Sequence, residues 1–258
     1  MNVLSLFDGM SCGQIALDQL GIPVTNYFAS EIDEYAMRIS QKNYPDTIYL
    51  GDVTKVDGAD LPNIRLLLGG SPCQGFSFAG KQLNFDDPRS ALFFEFVRIL
   101  KETQPEYFLL ENVRMKQEYQ DIITEHLGVE PIMINSSLVS AQNRVRLYWT
   151  NIPNITQPKD KGIVLKDVLE NDFESDRDKS YCIDANYYKG ANWEQYKAKA
   201  RRQLVILQKP RGNNKGGYRA LNGKTPSITS NSWEQNNFVT DKMYYRKLTP
   251  LECERLQT

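Results

Sequence analysis

The sequence predicts an α/β fold: a doubly wound, mostly parallel sheet followed by a smaller, loop-rich domain. Short apolar runs alternate with helical patterns from Asn2 to Asn151, which is typical of βαβ units. After Pro158 the alternation weakens. An acidic run is followed by a segment rich in Gly, Asn and Lys, a composition typical of turns and loops. The predicted domains are residues 1–157, residues 158–247, and residues 248–258 as the start of a helix that returns to the first domain.

Each element follows from its own periodicity and flanking residues. Short apolar runs bounded by turn residues predict strands, and apolar residues spaced by three or four predict helices. The predicted strands are residues 3–7, 27–30, 47–50, 65–68, 107–110, 132–135 and 147–150, and the predicted helices are residues 14–21, 33–43, 91–103 and 117–126. Thr249 to Glu252 form a capping box with Pro250 at the first helical position, which predicts a final helix. His126, the only histidine, is expected near a helix carboxyl end, without a catalytic role.

The composition is that of an ordinary soluble protein of one or two domains, with 258 residues, 41% hydrophobic and 24% charged. No stretch approaches the roughly 18 consecutive apolar residues of a membrane span, and the amino terminus carries no basic leader. We therefore expect a cytoplasmic protein without a membrane partner. The four cysteines are scattered without the close spacing of a zinc site, so we expect reduced thiols and no metal.

The net charge of −1 hides an asymmetry along the chain. Residues 1–150 carry 12 Lys and Arg against 19 Asp and Glu, a balance of −7, and the remaining residues carry 19 against 13, a balance of +6. Residues 189–247 contain 13 basic side chains against three acidic ones, interleaved with Tyr and Trp. Since Lys and Arg neutralise phosphates, this half fits a polyanion partner. The alternative is a solvated lobe that is basic and rich in loops.

Glycines and carboxylates follow the first three predicted strands, where an open α/β sheet holds its ligand. The turn from Phe7 to Gly13 allows close approach of a ligand, but it lacks the spacing of a dinucleotide fingerprint and the Lys-Ser/Thr of a phosphate loop. Glu31 ends the second strand where a carboxylate would bind ribose hydroxyls, and Asp52 follows the third. Together they indicate a nucleoside-bearing cofactor. The alternative is that Asp8, Glu31 and Asp52 are turn and cap residues.

A thiol and a carboxylic acid follow two further predicted strands. Cys73 lies in a turn where Pro72 restricts the backbone and three glycines free it, so the turn is shaped to present a side chain. Glu111 follows the strand at residues 107–110, with Asn112 able to hold it by hydrogen bonding. This pair suits nucleophilic addition to a ring with assistance from an acid. The alternatives are a small buried cysteine and a capping carboxylate.

Two arginines lie in a stretch of alternating polar side chains from Gln142 to Arg146. If that stretch is extended, Gln142, Arg144 and Arg146 point to one face. Two guanidinium groups on one face would bind an anion or a carboxylate. The alternative is a surface strand whose arginines pair with acids such as Asp86 or Asp87.

Several short motifs follow one another along the chain. They are Phe7-Asp8-Gly9, Glu31-Ile32-Asp33, Gly51-Asp52-Val53, Ser71-Pro72-Cys73-Gln74, Glu111-Asn112-Val113, residues 137–144, residues 142–146 and residues 246–253. In this order they resemble the cytosine-5 DNA methyltransferases, and in particular bacterial and phage members related to the vertebrate de novo enzymes. The resemblance covers almost the whole chain. The Pro-Cys-Gln, Glu-Asn-Val and Gln-x-Arg-x-Arg elements are very specific together.

The resemblance implies an S-adenosylmethionine-dependent methyltransferase fold and methyl transfer to carbon 5 of cytosine in a specific sequence of double-stranded DNA. It implies that Cys73 bonds to carbon 6, that Glu111 is the acid at ring nitrogen 3, and that the base is flipped out of the duplex. Arg144 and Arg146 would steady the flipped nucleotide and Glu111. Residues 158–247 would form the target-recognition domain. The setting would be a bacterial or phage-infected cell, in restriction–modification or in phage self-protection.

The same resemblance implies the cofactor site. Phe7 would pack against S-adenosylmethionine, and Glu31 would hold its ribose. Ile32 would contact the adenine face, and Asp52 would accept from the adenine amino group. The remaining cofactor-binding candidates are Asp8, Gly9 and Pro72.

The chain departs from the family pattern after its last helix, where the family has a further segment that completes the cofactor pocket. We expect a truncated chain or a companion polypeptide that supplies this segment, and weak binding of S-adenosylmethionine by the chain alone. One alternative is methylation of transfer RNA cytosine, which the long basic domain disfavours. Another is a catalytically incomplete DNA-binding subunit of a split methyltransferase, which Cys73 and Glu111 disfavour. A nicotinamide-dependent oxidoreductase does not fit the first loop.

Overall fold

The computed structural model describes residues 1–72, 88–170, 173–183, 187–189, 193–199, 201–207 and 245–257. The chain forms two compact units. Unit 1 comprises Met1–Ile134 and Val145–Gln157, and unit 2 comprises Asn135–Arg144 and Pro158–Thr258. Two segments are therefore grouped differently from the prediction, because residues 135–144 and the last helix both belong to unit 2. They are joined directly, since the Gln142 side-chain amide donates to the Leu256 carbonyl at 2.9 Å.

The larger sheet has seven strands. They are β1 (Asn2–Leu6), β2 (Asn26–Ser30), β3 (Ile48–Tyr49), β4 (Leu66–Gly69), β5 (Tyr107–Val113), β6 (Ile132–Asn135) and β7 (Val145–Thr150), in the order β3-β2-β1-β4-β5-β7-β6. The accompanying helices are α1 (Cys12–Gln19), α2 (Glu34–Asn43), α3 (Pro88–Thr103) and α4 (Gln117–Leu127). Strands β1 to β5 pair in parallel, whereas β7 is antiparallel to β5. The predicted mostly parallel sheet is confirmed.

Both faces of this sheet are covered. Val3 and Leu4 are adjacent and both fully buried, and adjacent residues of a strand point to opposite faces. Leu4 packs in a core that includes Phe96 of α3, whereas Val3 packs in a separate core that includes Leu17 of α1. Burial on both sides explains why the strands read as continuous apolar runs, and it confirms the doubly wound arrangement.

Strand β5 is three residues longer than predicted. Its antiparallel partner β7 pairs with it as far as Val113, which lies opposite Arg146, and Glu111 lies opposite Tyr148. The prediction that Glu111 follows the end of the strand is therefore wrong. The run of apolar residues ends before Glu111 and Asn112. The backbone pairing of β5 with β7 continues past it, because this pairing does not require apolar side chains.

Unit 2 has a small antiparallel sheet among its described residues. Its strands are β8 (Phe173–Glu174), β9 (Leu204–Leu207) and β10 (Tyr245–Lys247), and its α-helices are α5 (Leu165–Val168), α6 (Trp193–Lys199) and α7 (Pro250–Gln257). The core of the unit contains Ala141, Leu165, Val168, Tyr187, Val205, Leu248 and Leu256. Most of the basic stretch at residues 189–247 lies outside the described residues. None of the described helices has the length and apolar character needed to span a bilayer.

Helix α7 begins with the predicted capping box. The Thr249 hydroxyl accepts from the Glu252 N–H at 3.2 Å, and the Thr249 N–H donates to the Glu252 carboxylate at 2.8 Å. Glu252 is fully buried, and the Arg246 guanidinium donates to both of its carboxylate oxygens, at 2.6 and 2.7 Å. The Glu170 N–H donates a further bond at 2.7 Å. Burial raises the pKa of Glu252, but Arg246 and the backbone donors lower it more, so the pKa lies below its ordinary value.

We expect Glu252→Gln to destabilise unit 2 by about 3 kcal/mol, because it removes the buried negative charge that faces Arg246. The Arg246 side chain is 25% exposed and keeps some access to water, so the loss lies at the low end for a broken buried pair. Glu254→Gln, at an exposed position of α7, is the matched control and should change stability by less than about 0.5 kcal/mol. Hydrogen exchange of peptides covering residues 165–170 and 245–257 measures the free energy of opening.

The effect of Glu252→Gln should also depend on pH. Because folding lowers the Glu252 pKa, the stabilisation by its charge is complete above the ordinary glutamate pKa of about 4.5 and is lost as the pH falls through the lower pKa of the folded state. The difference in free energy of opening between the unaltered chain and Glu252→Gln should therefore become smaller at acidic pH. A difference that grows below pH 4 would contradict this assignment.

Candidate functional site

The predicted site residues of unit 1 gather at one edge of the sheet. Because β1 to β5 are parallel, their carboxyl ends share that edge. The turns after β1, β2, β3 and β4 begin at Phe7, Glu31, Leu50 and Gly70, and Glu111 lies near the end of β5. The turns predicted for a cofactor therefore share an edge with the turn predicted for catalysis.

The turn after β1 has an unusual backbone. Phe7, Gly9 and Ser11 have φ angles of 58°, 60° and 60°, in the left-handed region that residues other than glycine rarely adopt. A Cβ added at Gly9 would meet no atom within 4 Å, so the backbone there borders open space. Phe7 is half-buried against the core on the α3 side of the sheet. This geometry fits the close approach of a ligand to the turn.

Glu31 connects the turn after β1 to the turn after β2. Its carboxylate accepts from the backbone N–H groups of Gly9 at 2.8 Å, Ile32 at 2.7 Å and Asp33 at 2.8 Å. A carboxylate offers about four acceptor positions, so this one can accept a further hydrogen bond. The neighbouring Ile32 side chain is 74% exposed. An acceptor beside an exposed apolar side chain suits a ligand that carries both hydroxyl groups and an apolar ring.

Asp52 is a cap residue in the structure. Its Oδ1 accepts from the N–H and the hydroxyl of Thr54, at 3.0 and 2.9 Å, and so caps a 3₁₀ helix at Val53–Lys55. The hydrogen bond from the Thr54 N–H is the larger cause, and the bond from the Thr54 hydroxyl the second, of a lowered pKa of Asp52. Asp52 is therefore a carboxylate at neutral pH. The structure thus shows Asp52 in the capping role that the sequence analysis gave as the alternative to cofactor binding. It uses one carboxylate oxygen and is compatible with accepting from an amino group.

Glu111 forms an ion pair with Arg146, whose Nε lies 2.7 Å from Glu111 Oε1. The Glu111 side chain is 32% exposed and the Arg146 side chain 13%, so the acid is accessible while its cationic partner is largely covered. Arg146 Nη1 donates to the Val145 carbonyl at 2.8 Å, which restricts the guanidinium. The Nε atom makes no hydrogen bond to a described residue, so Arg146 interacts with Glu111 through its charge at short distance and is placed to hold the carboxylate beside it.

The turn after β4 passes beside Glu111. A Cβ added at Gly70 would lie 3.4 Å from Glu111 Oε2, so glycine lets the backbone approach the carboxylate closely. The Asn112 side-chain amide donates to the hydroxyl and the carbonyl of Ser71, at 3.3 and 3.4 Å, and accepts from the Val113 N–H at 2.8 Å. Asn112 thus anchors the turn rather than the Glu111 carboxyl group.

Several predicted residues lie outside the described residues. They are Cys73, Asp86 and Asp87. The structure does place Ser71 and Pro72, which directly precede Cys73 in the chain, in the turn beside Glu111. The position of Cys73 and the cofactor contact predicted for Pro72 stay predictions.

The stretch from Gln142 to Arg146 does not form one strand, since β7 begins at Val145. Gln142 is fully buried in unit 2, where its amide oxygen accepts from the Ile183 N–H at 2.9 Å while its nitrogen donates to Leu256. Its side chain therefore serves the internal packing of unit 2.

Arg144 also belongs to unit 2, whereas Arg146 belongs to unit 1. The Arg144 N–H donates to Asn135 Oδ1 at 3.0 Å, and its guanidinium Nη1 lies 3.7 Å from Cys182 Sγ. A role for Arg144 at the flipped nucleotide stays a prediction.

A model of the C-5 cytosine-specific DNA methylase family matches residues 1–258. This chain belongs to that family. Among the related methylases, the Type II methyltransferase M.NlaX of Neisseria lactamica is 30% identical over 275 residues, which cover 99% of this chain and 84% of the relative. The Type II methyltransferase M.NgoBV of Neisseria gonorrhoeae is 35% identical over 65% of this chain and 46% of its own. The orphan methyltransferase M.SPRI of Bacillus phage SPR is 37% identical over 59% and 38%, respectively.

Solved structures share the methylase fold. A mutant of Spodoptera frugiperda DNMT2 has a TM-score of 0.54 at 24% identity, covering 67% of this chain and 60% of that one. A putative DNA modification methyltransferase encoded within an E. coli prophage has a TM-score of 0.52 at 22% identity, covering 81% and 70%. At these identities the likeness concerns the fold alone. The chain spans about half the length of M.NgoBV and of the related M.NlaIV, 46% in each case.

Two features of this methylase were not found from its sequence. One is the buried ion pair of Glu252 with Arg246, and the other is a group of buried hydroxyls around Asp8. The capping box marked Glu252 as a helix residue but gave no sign of its burial. The hydroxyls come from separate elements, and a single sequence does not show which helix residue meets which strand residue.

Proposed function

We propose that this chain transfers a methyl group from S-adenosylmethionine to carbon 5 of cytosine in a specific sequence of double-stranded DNA. The observation that carries the proposal is the ion pair of Glu111 with Arg146 beside the Gly70–Pro72 turn. This acid lies at the same sheet edge as the turns that suit a nucleoside-bearing cofactor. Membership of the methylase family supports the same reaction.

The residues at this edge fit S-adenosylmethionine. Open space borders the Gly9 backbone, and Glu31 retains acceptor capacity for the ribose hydroxyls. Asp52 would accept from the adenine amino group. The exposed Ile32 would cover one face of the adenine, and Phe7 would pack against the cofactor. S-adenosylmethionine supplies an electrophilic methyl group.

Carbon 5 of cytosine is by itself a poor nucleophile. The Cys73 thiolate bonds to carbon 6 while the Glu111 carboxyl group gives a proton to ring nitrogen 3, which makes carbon 5 the nucleophilic end of an enamine. After methylation, a base removes the carbon 5 proton, the carbon–sulfur bond breaks, and nitrogen 3 returns its proton to Glu111. The thiolate of Cys73 and the acid form of Glu111 are thereby restored.

Neither face of a stacked cytosine is accessible, so the target nucleotide must be flipped from the duplex at a cost of about a few kcal/mol. Residues 158–247 would hold the duplex, because the basic side chains concentrated after residue 189 neutralise phosphates. Arg144 would steady the flipped nucleotide, and Arg146 would keep Glu111 directed at its ring.

Methyl transfer to nucleic acid tests the function directly. The full chain is incubated with S-adenosylmethionine labelled in its methyl group and either unmethylated duplex DNA of mixed sequence or transfer RNA. We expect labelled 5-methylcytosine in the DNA digest and none in the RNA digest. The same duplex made with 5-methylcytosine is the matched control and should take up no label. Label only in transfer RNA, or DNA binding without label, would overturn the proposal in favour of an RNA enzyme or an incomplete subunit.

A further inference from the structure

A buried group of hydroxyls surrounds Asp8 in the turn after β1. The Tyr27 hydroxyl donates to Asp8 Oδ1 at 2.7 Å, and the Ser11 hydroxyl donates to Asp8 Oδ2 at 2.5 Å. Ser11 Oγ also lies 2.5 Å from Ser40 Oγ. Asp8 is 9% exposed, Tyr27 3%, and both serines are fully buried. We call these four residues the Asp8 cluster. Its carboxylate faces inward, with both oxygens occupied.

The Asp8 cluster ties together the elements that flank the turn. Tyr27 belongs to β2 and Ser40 to α2, while Ser11 is the N-cap residue of α1. The Ser11 side chain makes no capping bond to α1, although an N-cap serine usually stabilises its helix in that way. Its hydroxyl is hydrogen-bonded to Asp8 and Ser40 instead. The Ser11 side chain therefore stabilises the turn rather than the N-terminus of the helix.

The turn requires such fixing. Phe7 and Ser11 are not glycines, yet both have left-handed φ angles, which are unfavourable for such residues and persist only where the surroundings impose them. The Ser11 side chain is bonded to Asp8, and the Asp8 N–H, directly after Phe7, donates to the Ser30 carbonyl at 3.2 Å. Asp8 thereby restrains the backbone on both sides of Gly9.

The Tyr27 hydroxyl stays protonated and can therefore always donate a hydrogen bond to the Asp8 carboxylate. Burial first, and then the charge of Asp8, raise the pKa of Tyr27 far above its ordinary value, so its phenol keeps its proton. A Cβ added at Gly13 would lie 3.0 Å from the Tyr27 hydroxyl, so α1 packs directly over it. The Tyr27 hydroxyl is thus enclosed between β2, Asp8 and α1.

We propose that Asp8 is a positioning residue for the cofactor and does not itself touch it. Through Ser11 and Tyr27 it holds the turn so that Phe7 and the Gly9 N–H, which donates to Glu31, keep their places at the sheet edge. This inference rests on the proposed function. It gives Asp8 a different role from the direct cofactor contact that the family resemblance implies.

The test compares Asp8→Ala with Asp8→Asn in the full chain. Alanine removes both acceptors, whereas asparagine keeps one oxygen for Tyr27 and offers its amide to Ser11, whose hydroxyl can then donate to Ser40. Equilibrium dialysis with labelled S-adenosylmethionine should show affinity about tenfold weaker for Asp8→Ala and at most about threefold weaker for Asp8→Asn. At saturating cofactor, kcat should stay within about threefold of the unaltered chain. Asp46→Ala, which removes an exposed carboxylate of unit 1, is the control.

Equal affinities for Asp8→Ala and the unaltered chain would overturn the inference. Equal damage by alanine and asparagine, with a matching fall in kcat, would also overturn it, because it would indicate direct contact with the cofactor. If Asp8→Ala does not fold, Tyr27→Phe, which removes a single donor, should weaken binding about threefold, and unchanged binding would overturn the inference. Absence of binding by the unaltered chain would instead overturn the proposed function.

Discussion

Replacing Cys73 with alanine is expected to reduce methyl transfer to background. Without a thiolate bond at carbon 6, carbon 5 of cytosine gains no enamine character and does not attack the methyl group. Duplex DNA containing 5-fluorocytosine makes this visible, because fluorine cannot leave as a proton and the bond from Cys73 to carbon 6 then persists. The unaltered chain should give an adduct that survives denaturing electrophoresis, and the alanine variant should give none.

Cys253→Ala is the matched control for this experiment. Burial and the neighbouring charge of Glu252 raise the pKa of Cys253, so at neutral pH it is a thiol rather than a nucleophilic thiolate. The control should form the adduct as the unaltered chain does. An adduct that persists in Cys73→Ala would contradict the mechanism, and mapping it to a peptide with another cysteine would identify the actual nucleophile.

The larger sheet was predictable because its strands are buried on both faces. Val3, Leu4 and Leu67 are almost inaccessible, so the sequence shows uninterrupted apolar runs between helical segments. The ends of elements were less predictable. Glu111 and Asn112 are polar, and nothing in their composition indicates that β7 pairs beside them.

The site was predictable where its residues follow directly from strand ends. Glu31 and the Gly70–Pro72 turn lie where the pattern of a parallel sheet places them. Inward hydrogen bonding was not predictable, and Gln142 illustrates this. Its alternation with Arg144 and Arg146 predicted that the three side chains share one face, whereas both the oxygen and the nitrogen of its amide are hydrogen-bonded inside unit 2. Such pairings depend on contacts between distant segments, which periodicity does not reveal.

The domain division shows the same limit. A change in composition near Pro158 suggested one boundary, but residues 135–144 precede that change and still belong to unit 2. Their place is fixed by bonds to later segments, as when the Lys179 ammonium donates to the carbonyls of Ser137 and Ser140 at 2.7 and 3.2 Å. A local pattern of polar residues does not predict hydrogen-bond partners in distant segments of the chain.

Replacing Glu111 with glutamine is expected to slow methyl transfer by about 10²–10⁴-fold, the usual contribution of a general acid. Glutamine has nearly the same shape, so binding of DNA and cofactor should change little and the loss should appear in kcat. Glu125→Gln, at an exposed position of α4 in the same unit, is the control and should leave kcat unchanged. Single-turnover rates with saturating DNA and cofactor measure the chemical step.

The ion pair gives this prediction a second readout. Arg146→Lys keeps the positive charge but loses the planar guanidinium whose Nε lies 2.7 Å from Glu111, so it should slow the reaction about tenfold. If Arg146 acts by orienting Glu111, the same substitution should have little further effect once Glu111 is glutamine, because the group that it orients no longer transfers a proton. Fully additive losses in the double variant would show that Arg146 acts elsewhere, and an unchanged rate in Glu111→Gln would remove the acid from the mechanism.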